Sequence, residues 1–260
     1  MGDDSLQLER RAKGPTMSGR SVGSVGRVVT VQVCLYAVMI LGTCTFALFS
    51  SGVPTLVWST VIGLVLLGAF VVFWPFKTSD AQGTNLVIEW FGRIVAAIAG
   101  LFSLAFSIME LKALLEPAVI GGRAKNLLPW AAVFVILAAL LIVIDFALQM
   151  ARKERSHLIR SLSESIFGAI ACVSAGAWPF LAFMVVTLAD SYQQRLAMAL
   201  VIVGLVAMLA LLSVGVASTL WWRDIKDGDQ HTWIGIAILP VMFAGVVAYL
   251  VAISVFFVLI

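Results

Sequence analysis

Seven blocks of this chain run for 21 or more residues with at most two charged side chains each, and such a block has few ways to fold. About 20 apolar residues wound as a helix cross the roughly 30 Å hydrocarbon layer of a bilayer. Backbone amides placed in lipid must pair within their own segment, which selects helices over open strands. The blocks lie at about Val28–Ser50, Leu56–Phe76, Leu86–Met109, Leu127–Met150, Ile166–Leu188, Leu196–Leu220 and Trp233–Ile260. The expected fold is therefore all-α: a polytopic transmembrane bundle of about seven helices. Composition agrees, since 62% of the 260 residues are apolar and 12% charged, against about 45–50% and about 25% in soluble domains.

The polar clusters are confined to residues 1–27 and the loops near 112–126, 151–165 and 221–232, so no soluble domain is expected beside the transmembrane domain of residues 28–260. The first 27 residues form a basic segment with too little apolar content to order by itself. Short loops rich in Lys and Arg stay in the cytoplasm. Twelve basic residues, including Arg10, Arg11, Lys13, Arg20 and Arg27 and the run Arg152, Lys153, Arg155 and Arg160, fall on one side, against Lys112, Arg123, Lys125 and Arg195 on the other. That bias predicts a cytoplasmic N terminus, an outside C terminus and a cell-membrane location, plasma or bacterial inner. The first apolar run exceeds the roughly 7–15 residues of a signal-peptide core, so a retained anchor is expected. The net charge of +3 follows topology and provides no basic domain for nucleic acid.

The third span carries the most informative pattern. Glu89, Arg93, Ala96, Gly100, Ser103, Ser107 and Glu110 are separated by alternating steps of four and three, so they share one helical stripe. Ile94, Val95, Ile98, Leu101, Phe102 and Ile108 face away. Small residues at this spacing let backbones approach, so the span is expected at the centre of the bundle, its stripe serving packing or a solute path. In the fifth span Gly168, Cys172 and Gly176 repeat every four residues, and Pro179 then removes a ladder donor. A static kink is expected there and at Pro240.

Charges inside spans are costly, at least about 2.5–3.5 kcal/mol each at mid-bilayer, and so require an explanation. Glu89 and Arg93 stand one turn apart and can pair. Asp145 has Gln149 and Arg152 on its own face, and Glu164 opens the fifth span, where a carboxylate suits the helix dipole. If the third, fourth and fifth spans are neighbours, Glu89, Arg93, Asp145 and Glu164 form one polar cluster in the cytoplasmic third of the membrane.

Other features have bland explanations. Trp130, Trp221, Trp222 and Trp233 fall at span ends, as interfacial anchors do. Cys34 and Cys44 lie about 15 Å apart on one helix, beyond disulfide reach, and Cys172 is on another span. Asp224, Asp227, Asp229 and His231 form a solvated turn rather than a metal site. The only histidines, His157 and His231, lie in loops, which excludes bis-histidine haem ligation, and the last span has no lysine for a retinal Schiff base. No intramembrane Ser–His pair or catalytic constellation is present, so no cofactor or metal is expected and the pattern leans away from an enzyme. Two function classes follow: a transporter or permease component moving a small solute or ion, or an accessory or scaffold subunit. The partners expected are the lipid bilayer and other membrane subunits or a second copy of the chain.

Overall fold

The structure, a computed structural model, describes residues 22–49, 53–76, 84–115, 127–151, 158–189 and 232–259, with scattered positions between 204 and 215. Its elements are α1 (Val22–Phe49), α2 (Val53–Val72), α3 (Thr84–Leu115), α4 (Leu128–Met150), α5 (Leu158–Ala175), α6 (Pro179–Ala189) and α7 (Thr232–Leu259), and no strand occurs among the described residues. Five stretches are long and apolar enough to cross a membrane: Pro54–Val72, Glu89–Leu114, Leu128–Met150, Leu162–Val185 and Trp233–Ser254, with a shorter apolar stretch at Arg27–Thr43. The expected span Leu196–Leu220 lies mostly outside the described residues, and its scattered described positions are helical. The N-terminal segment before residue 22, the basic loop positions from Lys77 to Lys226 other than Lys112 and Arg160, the tryptophans Trp221 and Trp222, and the acidic turn at 224–231 also lie outside them.

The packing centre differs from the expectation. The fifth span, α5 and α6 together, is 78% buried over its apolar window against 44% for the third, and every residue from 171 to 180 is buried. It touches α1, α2, α3, α4 and α7. Glycine explains this placement, because a side chain would block each crossing. A Cβ at Gly168 would strike the Trp74 ring, one at Gly176 the Ser103 hydroxyl and Leu104 backbone, and one at Gly245 of α7 the Ser174 carbonyl. On the facing surface of α3, a Cβ at Gly100 would sit 2.8 Å from the Cys172 carbonyl oxygen.

Pro179 does more than kink its span. Residues 176–178 form a turn between two helices, in which the Gly176, Ala177 and Trp178 amides donate to Val173, Ser174 and Ala175. The Ala175 carbonyl, deprived of the amide that proline lacks, accepts from Trp178 at 3.3 Å. Such tightened i→i−3 bonds let a broken helix persist in lipid. The Trp178 indole then donates to the Val241 carbonyl of α7 at 3.0 Å. Pro240, one residue earlier, stays inside a continuous helix.

The outer surface is apolar. On α4 only Trp130, Leu141, Asp145 and Gln149 are buried, while Val135, Ile136, Leu140, Val143 and Phe146 are exposed. Trp90, Ile94, Ile98, Leu101 and Phe102 are exposed along α3. Water does not tolerate contiguous faces of this size, and lipid does. A substitution tests the glycine crossings: Gly176→Val is expected to lower stability by about 1–3 kcal/mol through overpacking against α3, read as a lower thermal midpoint in detergent. Gly68→Ala, with nothing within 4 Å of the added Cβ, should leave the midpoint unchanged or raise it.

Candidate functional site

The polar stripe of α3 is buried over Arg93, Ala96, Gly100, Ser103, Ser107 and Glu110, and the Glu89 side chain is 11% exposed. At a rise of about 1.5 Å per residue, Glu89 and Glu110 stand about 32 Å apart, close to the hydrocarbon thickness. The middle of the stripe is dry packing. Ala96 belongs to the core, Gly100 meets Cys172, the Ser103 hydroxyl donates to the Val173 carbonyl at 2.8 Å, and Ser107 donates to its own Leu104 carbonyl at 2.8 Å. What remains is a polar group at each end.

At the first end Arg93 donates to Glu89 in an ion pair within α3, both side chains being about nine-tenths buried. The guanidinium lies 5.2 Å from the Trp90 ring centroid and 5.9 Å from that of Trp74, within range of a cation–π contact. Trp74 holds its place because it is wedged on Gly168 and packed edge-on with Phe76. Arg93 is thus committed to its own helix.

Asp145 enters the same end from α4. It is 4% exposed, and a Cβ at Gly92 would lie 4.0 Å from its Oδ1, so it faces α3 at Gly92. The Ser165 hydroxyl of α5 hydrogen-bonds the carboxyl, while Oδ2 has no hydrogen-bond partner among the described residues. Gln149, one turn later, is also buried. Helices α3, α4 and α5 are in mutual contact; Glu89 and Arg93 pair on α3, and Asp145 of α4 meets α3 at Gly92. Glu164 is adjacent to Ser165 but half-buried, and it does not cap its helix: α5 begins at Leu158, two turns earlier than the apolar block suggested, so Glu164 sits beyond the first turn. The apolar positions Leu158, Ile159 and Leu162 extend the helix into what read as a loop. Arg152, the local partner considered for Asp145, lies outside the described residues.

The second end is built on Glu110. Helix α3 continues to Leu115, past the expected stop at Met109, and carries Glu110 and the fully buried Leu111 into the bundle. Glu110 lies toward the backbone N–H of Trp130, in the first turn of α4. Neither carboxyl oxygen completes a hydrogen bond among the described residues. Trp130 is 1% exposed, not an interfacial anchor, because Phe180 and Tyr249 enclose it with ring centroids at 5.6 and 4.6 Å. Tyr249 donates its hydroxyl to the Leu127 carbonyl at 2.6 Å. Ser165, Trp130 and Tyr249 carried no signal of these roles beyond being polar-tipped residues next to or within apolar blocks.

No group of three or more potential metal ligands occurs among the described residues. No protein-family profile, curated protein or solved structure matches the chain.

Proposed function

We propose that the chain is a membrane permease component in which Asp145 takes up and releases a proton as a small solute crosses. The observation that carries this reading is a buried Asp145 carboxyl that faces the Ser165 hydroxyl and whose Oδ2 has no hydrogen-bond partner among the described residues. Arg93 is paired with Glu89 on its own helix, and among the described residues no cation pairs with Asp145. Leaving a lone carboxylate in the hydrocarbon region is expensive, and intramembrane acids of this kind mark proton and ion pathways. Asp145 lies about 7–8 Å by helical rise from the end of α4, deep enough to be shielded and shallow enough to exchange with water. The interrupted helix beside it supports the reading, because discontinuous spans line the sites of many transporters.

The test uses vesicles loaded with a pH-sensitive dye, carrying the purified protein and an imposed pH gradient, and challenged with small amino acids, sugars and organic cations. One solute class is expected to accelerate collapse of the gradient, and Asp145→Asn is expected to return the rate to that of protein-free vesicles. An Asp145→Asn rate equal to wild type would rule out the carboxyl's role.

A second reading, an accessory or scaffold subunit, is favoured by the close Gly100–Cys172 and Gly176–Ser103 contacts, which close the stripe at its middle. It requires a stoichiometric membrane partner in mild-detergent purification. Recovery of the chain alone counts against it.

A further inference from the structure

We propose that Glu110 is a second proton-exchanging carboxyl, serving the end of the bundle opposite Asp145. It rests on the preceding reading only for the direction of traffic, since the binding itself follows from what surrounds Glu110. Three observations converge on it. The residue is 8% exposed, and neither carboxyl oxygen has a hydrogen-bond partner among the described residues. Trp130 and Tyr249, which approach it, are 1% and 3% exposed and pack with Leu111, Leu127 and Phe180 in one buried cluster. And it approaches the start of α4, where the first-turn amides have no acceptor within the helix and Pro129 offers none.

The chemistry of these surroundings selects a proton over a larger ligand. A metal ion would need several oxygen ligands, and no cluster of them is present among the described residues. An organic cation would need open space, and the Trp130 and Tyr249 rings that approach the carboxyl are packed on one another at 4.6 Å. A proton needs neither. Each charge state also has its own support. The anion is favoured by the helix N-terminus and the Trp130 amide, and the neutral acid by the apolar walls. A group poised between two states is what reversible proton transfer requires.

Among the described residues few other charges face it. Tyr249 approaches from α7 and Lys112 follows on α3 but is exposed. Helices α2 and α6 contain no charged residue, and the only one on α4 is Asp145 at its far end. In the exchange, a hydronium ion at that end breaks one of its O–H bonds as an O–H bond forms on one Glu110 oxygen, leaving water, and the reverse step returns the proton to water as hydronium. The Gly100 and Gly176 crossings separate this group from Asp145, so the two are reached from opposite ends.

Infrared difference spectroscopy of the full chain in lipid vesicles, across a pH step, tests this. The wild type is expected to show two protonated-carboxyl C=O bands, each shifted in heavy water. Incorporation of carboxyl-labelled heavy-carbon glutamate should move one of them and leave the other. Glu110→Gln should abolish the band that moves, and Glu110→Asp should replace it with one that no longer responds to labelled glutamate. The label needs no substitution, so a variant that fails to fold does not obscure the result. A wild-type spectrum without a glutamate acid band at any pH, or one that persists in folded Glu110→Gln, overturns the inference. A glutamate band without an aspartate band leaves the inference standing and removes the proposed role of Asp145.

Discussion

Trp130→Ala is expected to lower the stability of the bundle by about 3 kcal/mol, the lower end of the range for deleting a large aromatic from a core. The lower end applies because the unfolded reference in a bilayer is still surrounded by hydrocarbon, so the loss is of packing rather than of transfer from water. Trp130 pins the first turn of α4, a helix whose other buried contacts are only Leu141, Asp145 and Gln149. Removing the indole takes away ring contacts with Phe134, Phe180 and Tyr249 together. Trp130→Phe separates packing from polarity. It keeps most of the ring and deletes a buried indole N–H that has no acceptor among the described residues, so the change should stay within about 1 kcal/mol. Equilibrium unfolding by steric trapping in bicelles measures both, and a Trp130→Ala value near zero would mean that α4 is held elsewhere.

Glu89→Gln is the second large effect. Removing one partner of a buried pair leaves the other charge uncompensated, which costs about 3–5 kcal/mol. The ring faces of Trp74 and Trp90 and the reach of the arginine stem toward the membrane surface place the expectation at about 3 kcal/mol. Glu89→Gln combined with Arg93→Gln should cost less than the sum of the single changes, because the double variant has no stranded charge. Additive losses in the same unfolding assay would show that the pair is not coupled.

These two residues illustrate how differently the two ends could be read in advance. Glu89 and Arg93 lie one turn apart on one helix, so their pairing is a property of local geometry and was visible in the spacing. The burial of Ala96, Gly100, Ser103 and Ser107 follows equally from the four-and-three pattern. Trp130 was misread because a tryptophan at a span end looks the same whether it meets headgroups or turns inward, and what turns it inward is Phe180 and Tyr249, 50 and 119 positions along the chain. A charge after an apolar run resembles a helix terminus, so the spacing alone puts Glu110 at the outer end of a stripe serving packing or a solute path. Its setting depends on the first turn of α4 arriving beside it.

The same division holds for the molecule. Composition alone determined that the chain is helical and suited to a membrane, because a backbone in lipid must satisfy its own hydrogen bonds and a long apolar block can do so only as a helix. Which helix lies at the centre, where the fifth span breaks, and that Asp145 meets Gly92 and Ser165 were decided only by the tertiary structure. Helix association in lipid is driven by close van der Waals fit rather than by hydrophobic burial, and small residues permit close approach without naming the surface that will approach.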